Sequence, residues 1–143
     1  MIEKLEFYHG AAVIRLIEDK RCNNVRKVES GYLVNDERAV FLKYTTKAHS
    51  PWRFTVSGDD LARYDVTAHQ FETCVLALVC GGDGVCSLTW GEARELLGGS
   101  PGWLAAKRSF NGCYAINGHT GTLKRKVPLN QWPGIVFAPE KSE

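Results

Sequence analysis

Residues 74–80, CVLALVC, restrict the fold more than any other part of this 143-residue chain. All seven side chains are apolar, and the run ends at the turn sequence GGDG, residues 81–84. The run is far shorter than the roughly 20 apolar residues that are needed to cross a bilayer. A strand that is apolar at every position is typical of a sheet whose two faces are both covered. We therefore expect residues 74–80 to form a central strand.

The segments before this strand predict one helix and several strands. Apolar residues recur at three- and four-residue spacing between Ile2 and Leu16, which predicts an amphipathic helix over residues 2–18. Turn residues then separate short runs that are rich in β-branched and aromatic side chains, a pattern typical of a β-meander. Its strands are expected at residues 25–29, 31–35, 39–45 and 52–56.

Two capping signals mark further helices. Ser57 and Asp60 have the spacing of a capping box, and an apolar stripe begins at Leu61. Thr89 precedes the short helical sequence GEARELL, which the glycines at 98 and 99 would end. After these glycines, Asn-Gly and Gly-rich turns alternate with short apolar runs, which is typical of a β-hairpin.

Together these signals predict an α/β (α+β) fold with a central mixed sheet flanked by helices and a C-terminal β-hairpin. The length suits a single domain, which we divide into an α/β core, residues 1–98, and a C-terminal β-hairpin extension, residues 99–143. The N-terminus is charged from Glu3 onward and lacks the apolar core of a signal peptide, so a cytoplasmic location is expected.

The cysteines indicate buried free thiols. There are five, an odd number, and no two of them stand two residues apart as zinc ligands commonly do. A disulfide or a metal site is the open alternative, but no residue is assigned as a metal ligand.

A lysine, Lys43, stands inside the otherwise apolar sequence AVFLKYT. It is either a sheet-edge lysine whose stem covers apolar surface, or an active-site lysine. The order helix, meander, helix, buried strand over residues 1–80 resembles the core of the PD-(D/E)XK nuclease superfamily. Members of that superfamily hold Mg²⁺ with carboxylates and place a lysine beside the reacting phosphate. The resemblance implies that Lys43 and Asp36 are the catalytic residues.

The motif is degenerate in this chain. Phe41, which cannot bind a metal, stands two residues before Lys43, where the superfamily has an acid or glutamine. A nuclease-like fold with a repurposed site is therefore expected before a Mg²⁺-dependent nuclease. No cofactor is expected unless the nuclease interpretation holds, in which case Mg²⁺ is required.

Basic and aromatic side chains indicate a nucleic-acid partner. Residues 101–143 carry six basic and two acidic side chains, whereas residues 1–100 carry 12 basic and 14 acidic ones. Cations interleaved with aromatic rings suit phosphate contact and base stacking. The aromatic residues in this part of the chain include Trp103, Phe110, Tyr114 and Trp132. We expect DNA or RNA to contact Lys47, Trp52, Lys107, Arg108, Lys124, Arg125 and Lys126.

The same residues also suit roles without nucleic acid. The charge surplus is compatible with ordinary solvated strands, and Trp52 is compatible with a core position. The second function is a protein–protein interaction module or homodimeric adaptor subunit, in which Trp103 and Trp132 would anchor the interface. A Mg²⁺-dependent nuclease is the third. No membrane association is expected, and whether the chain is an enzyme stays open.

Overall fold

The computed structural model describes residues 1–109 and 111–138. Phe110 and Lys141, two of the aromatic and basic residues of the C-terminal part, lie outside the described residues. The described elements are, in order, α1 (Lys4–Glu18), β1 (Val25–Val28), β2 (Gly31–Val34), β3 (Arg38–Thr45), β4 (Trp52–Val56), α2 (Gly58–Gln70), β5 (Thr73–Cys80), β6 (Gly84–Thr89), α3 (Trp90–Leu97), β7 (Gly102–Lys107), β8 (Ala115–Gly118), β9 (Gly121–Thr122) and α4 (Gly134–Phe137).

The prediction of a mixed sheet flanked by helices is confirmed. Five strands form one sheet in the order β1-β2-β3-β5-β6. Only the β3–β5 pair is parallel, and the other neighbours are antiparallel. The chain passes through β4 and α2 between the two parallel strands, as a parallel connection requires.

Strand β5 is the central strand that the apolar run predicts. Residues 74–80 are all buried. Leu76 and Leu78 belong to one core cluster, together with side chains of α2 and α3, whereas Val75 and Ala77 belong to a second cluster with side chains of α1 and α4. Because successive strand residues point to opposite faces, a strand covered on both sides must be apolar throughout.

Strand β4 does not continue the meander, contrary to the prediction. It pairs antiparallel with β7 in a second sheet, of order β4-β7-β8-β9. Trp52, Phe54 and Val56 are buried, whereas the two residues between them are exposed, so the strand covers the core with one face only. The C-terminal hairpin of β7 and β8 therefore adds to a sheet that β4 begins.

The basic segment at residues 123–127 is irregular instead of forming a hairpin strand. The strand β9 contains only Gly121 and Thr122, and the chain pairs once more through a single bridge between Tyr114 and Val127. In this segment the Arg125 side chain donates two hydrogen bonds to Glu92 of α3 instead of projecting from a strand.

The capping box predicted at Ser57 is present, and the predicted cap at Thr89 is a capping box as well. The Ser57 side chain accepts a hydrogen bond from the Asp60 amide, and the Thr89 side chain accepts one from the Glu92 amide. Helix α3 ends at Gly98, whose φ of 64° is in the left-handed region that favours glycine.

Candidate functional site

The edge of β3 that faces β2 is covered along only part of its length. Strand β2 pairs with β3 from Arg38 to Val40. At the start of β2, a Cβ on Gly31 would lie 2.2 Å from the Val40 carbonyl oxygen, so a larger residue cannot approach β3 there. Within residues 1–109 and 111–138, no strand pairs with this edge of β3 from Leu42 to Thr45.

The backbone groups of Leu42 and Tyr44 face this open edge. On the opposite edge, the Thr45 carbonyl accepts a 3.1 Å hydrogen bond from the amide of Gly81, which follows β5. Successive strand residues direct their backbone polar groups to opposite edges. The amides and carbonyls of Leu42 and Tyr44 therefore point away from β5 and toward the uncovered side.

A cleft of about 470 Å³ lies along the open edge. Its lining comes from the start of α1, the turn between β1 and β2, the end of β3, strand β4 and the start of α2. The charged, histidine and tyrosine side chains in this lining are His9, Lys27, Glu29, Tyr32, Lys43, Tyr44, Arg53, Asp60, Arg63 and Tyr64. Four are lysine or arginine and two are carboxylates, so the cleft has a net positive charge.

The lysine inside β3 is neutralised within this cleft. Lys43 Nζ donates a 2.8 Å hydrogen bond to Asp60 Oδ2, and both side chains are largely buried. Arg63 donates to the other oxygen of Asp60 at 2.5 Å. Burial opposes ionisation of Asp60, but hydrogen bonds from Lys43 and the Ser57 amide outweigh it and lower the pKa of the carboxyl. One carboxylate therefore joins β3 to α2.

Two other cations in the lining rest on aromatic rings. The Lys27 ammonium lies 5.3 Å from the centre of the Tyr32 ring, and the Arg53 guanidinium lies 4.4 Å from that of Trp103. Among residues 1–109 and 111–138, neither cation has a carboxylate within ion-pair distance. Their hydrogen-bond donors are therefore available to an anionic ligand.

Aromatic rings surround His9 beside the open edge. Tyr8 and Tyr44 stack with ring centres 5.3 Å apart, and His9 contacts Tyr32 and Tyr44 edge-on at 6.2 and 5.9 Å. Burial, followed by the charge of Lys27, lowers the pKa of His9. His9 is therefore mainly neutral at neutral pH, and it gains charge only in acid.

The two residues expected to catalyse lie at opposite ends of β3. Asp36 occupies the turn before the strand, has a φ of 56°, and pairs with Arg26 at the surface. Lys43 follows Arg38 by five strand residues, or about 16 Å. A single metal ion cannot contact the Asp36 carboxylate while Lys43 serves the same reaction centre, and the acid beside Lys43 is Asp60.

Two of the arginines expected to contact phosphate make internal ion pairs. Arg108 binds both oxygens of Asp83 in the β5–β6 turn, at 2.8 and 2.5 Å. Arg125 binds both oxygens of Glu92 in the first turn of α3, at 2.7 and 2.8 Å. These bidentate pairs connect distant parts of the chain. Both guanidinium groups are therefore engaged within the protein, and neither is available for the expected contact with a backbone phosphate.

The remaining predicted contacts do not form one surface with the cleft. Trp52 is a core residue, 3% exposed, and its indole donates to the Lys47 carbonyl, so its ring is not open to a base. The Lys47 amine donates to the Pro51 carbonyl. Lys107, Lys124 and Lys126 are exposed, but none of them lines the cleft.

Sequence reasoning missed most of the cleft residues. Arg53 was identifiable as an outward residue in the alternating strand WRFTV, and Asp60 was identified only as a helix cap. Lys27 and His9 had no distinguishing signal, because their neighbours in the cleft come from distant parts of the sequence.

Comparisons of the chain with models of protein families, with curated proteins and with solved structures find no match. The resemblance to PD-(D/E)XK nucleases therefore stays a prediction. Within the described residues, no group of three or more His, Cys, Asp or Glu side chains could hold a metal ion. In that same part of the chain, no helix is both long and apolar enough to span a membrane.

Proposed function

We propose that this protein binds single-stranded nucleic acid in the open-edge cleft. The observation that carries the proposal is a pair of cations, Lys27 and Arg53, that line one concave site without a carboxylate partner among the described residues. Each of the two lies over an aromatic ring. Cations supply phosphate contacts and aromatic faces supply sequence-tolerant stacking, the combination that single-strand binders use.

The strand is expected to follow the open edge of β3. Its phosphates would contact Lys27 and Arg53, which come from β1 and β4. One unstacked base would lie against Tyr32 or Tyr44 in the cleft, whose volume of about 470 Å³ suits a single nucleotide better than a duplex. Lys43, Asp60 and Arg63 would form the floor of the site, and because the two cations share one carboxylate, this group would carry one net positive charge.

The test is binding of a fluorescent oligothymidylate at low salt, measured by anisotropy. Lys27→Ala/Arg53→Ala should lower the affinity about tenfold or more and reduce the slope of log K against log salt by about 1.4. The control is Lys107→Ala/Lys124→Ala, which removes the same charge from exposed positions outside the cleft. No binding by the wild type, or equal losses in the two double variants, would overturn the proposal.

A second candidate function is binding of an extended acidic peptide by strand addition. The open edge of β3 favours it, because Leu42 and Tyr44 direct backbone donors and acceptors into a cationic cleft. Amide hydrogen exchange separates the two candidates. An added strand would slow exchange at Leu42 and Tyr44, whereas an oligonucleotide held by side chains would protect neither amide strongly.

A further inference from the structure

Helix α1 is apolar on the face that points away from the protein. Ala12 and Leu16 are fully buried against the sheet. Phe7, Ile14 and Ile17 project from the roughly opposite side of the helix and are 62%, 56% and 57% exposed. Contiguous large apolar side chains on a solvent-facing stripe are typical of an interaction surface.

The spacing of this stripe is that of a helix–helix seam. Phe7, Gly10, Ile14 and Ile17 follow one another at intervals of three, four and three residues, which keeps one narrow stripe facing a partner helix. Apart from the nearby backbone of α1 itself, no atom of the described residues lies within 4 Å of the position that a Cβ on Gly10 would take. A second helix can therefore approach the backbone closely at this point.

When two copies of α1 pack antiparallel, the charged residues beside the stripe of one copy lie near residues of opposite charge on the other. With Phe7 of one copy opposite Ile17 of the other, Lys4 of each copy lies near Glu18 of its partner. Glu6 likewise faces the turn that contains Lys20, just after the helix. In a parallel pair, the flanking positions would place Glu6 near Ala11 and Glu18 near Val13, with no opposite charges meeting.

We propose that the protein forms a two-fold symmetric dimer through an antiparallel α1–α1 contact. The occupant of the stripe is a second copy of this chain, because the apolar and charged residues of α1 form a surface that is complementary to the same surface after a two-fold rotation. A mainly apolar groove of about 480 Å³, whose lining also includes Lys4 and Arg15, adjoins the stripe between α1 and the β5–β6 hairpin and extends the surface that a partner can cover. Its apolar lining includes Phe7, Ala11, Val79 and Val85.

The proposal is independent of nucleic-acid binding. The seam is on the outer face of α1, whereas Leu5 and His9 line the cleft from the inner side of the same helix. The dimer can therefore form whether or not the cleft binds an anion, and the two proposals fail separately.

Sedimentation equilibrium of the purified chain tests the dimer. The wild type should show a monomer–dimer equilibrium, and Ile14→Lys should remove it while circular dichroism stays unchanged, because the side chain is exposed. Val66→Lys is the matched control, since Val66 is 59% exposed on α2, away from the seam, and should leave the equilibrium unaltered. A wild type that stays monomeric up to roughly 1 mM, or an Ile14→Lys variant that dimerises equally, would overturn the proposal.

Charge reversal tests the antiparallel register. Lys4→Glu and Glu18→Lys should each raise the dimer dissociation constant about threefold, because each places like charges opposite one another. The double variant Lys4→Glu/Glu18→Lys should restore the wild-type dissociation constant. If the double variant dimerises more weakly than either single variant, the antiparallel register is wrong.

Discussion

The Lys43 ammonium and the Asp60 carboxylate meet at 2.8 Å between the middle of the sheet and the first turn of α2. This contact explains why a charged residue occurs in β3, directly after four buried residues. The ammonium is held against a carboxylate that α2 positions through its capping box. Lys43 therefore connects β3 to α2 through an ion pair at the floor of the cleft.

Loss of the Asp60 charge should destabilise the fold. In Asp60→Asn, Lys43 and Arg63 lose their common carboxylate, and the free energy of unfolding should fall by about 2 kcal/mol. Urea denaturation measures this loss. Asp36→Asn is the control, because the Asp36–Arg26 pair is more than half exposed and should contribute almost nothing. Equal effects of the two substitutions would contradict the role given to Asp60.

The hydroxyl of Tyr114 should contribute to stability through one hydrogen bond. Tyr114 is fully buried, and its hydroxyl donates to Asp83 Oδ2 at 2.7 Å. Tyr114→Phe should lower the free energy of unfolding by about 1–2 kcal/mol, because it leaves a largely buried carboxylate with one partner fewer. Tyr8→Phe should change stability little, since within the described residues the Tyr8 hydroxyl makes no hydrogen bond. A similar loss in both variants would mean that the hydrogen bond to Asp83 is not what makes the Tyr114 hydroxyl stabilising.

Acid should remove the stabilisation that Asp83 supplies. The hydrogen bonds from Arg108, opposed by burial and reinforced by Tyr114, lower the pKa of Asp83 below its ordinary value of 3.8. As pH falls, the unfolded chain therefore binds its proton first, so the stabilisation is complete above pH 3.8 and is lost below it. The difference in unfolding free energy between wild type and Asp83→Asn should shrink as pH falls from about 4 toward the lowered pKa. A difference that stays constant would contradict an ionised Asp83–Arg108 pair.

The elements that the sequence predicts correctly all carry local signals. Each of the capping boxes, at Ser57 and at Thr89, is contained in four consecutive residues. The burial of residues 74–80 is predicted by their apolar composition alone. Local signals of this kind depend on neighbouring residues, so a single sequence is sufficient to identify them.

The parts that the sequence does not predict depend on distant partners. Strand β4 pairs with β7, about 50 residues further on, and its alternation would suit either sheet equally. The carboxylates that bind Arg108 and Arg125 are 25 and 33 residues away. The sequence therefore does not distinguish a cation that contacts phosphate from one that is neutralised inside the fold. Nor does it identify Lys27 and Arg53 as residues of one site, because they come together in the cleft only when β1 and β4 are folded into their separate sheets.

Thiol reactivity should separate the five free cysteines by their burial. Cys113 is exposed and Cys22 is half-buried, whereas burial raises the pKa of Cys74 to about 11 and that of Cys80 to about 12. A disulfide reagent at mild alkaline pH should therefore label Cys113 first. It should reach the buried cysteines, Cys86 included, only after unfolding, because the thiolate is the reactive form.

Two serine variants check this assignment. Cys113→Ser should abolish the fast phase of labelling, whereas Cys74→Ser should leave it intact. A fast phase that survives Cys113→Ser would place another thiol at the surface.

His9 should make oligonucleotide binding stronger in acid. Burial is the larger cause that lowers the pKa of His9, and the charge of Lys27 is the smaller one. The other titratable groups around His9 in the cleft are Glu29, Tyr32 and Tyr44. As pH falls below the ordinary histidine value of 6.5 and through the lowered pKa, the ring gains a positive charge beside the proposed phosphate path. The affinity for oligothymidylate should rise about threefold across this window, from one added charge.

His9→Gln should abolish this rise and keep the neutral-pH affinity, because the ring is mainly neutral there. His49→Gln is the matched control, since His49 is exposed and does not line the cleft, so the acid enhancement should persist. Anisotropy titrations at constant ionic strength measure both variants. An enhancement that survives His9→Gln would mean that the ligand binds away from the open edge of β3.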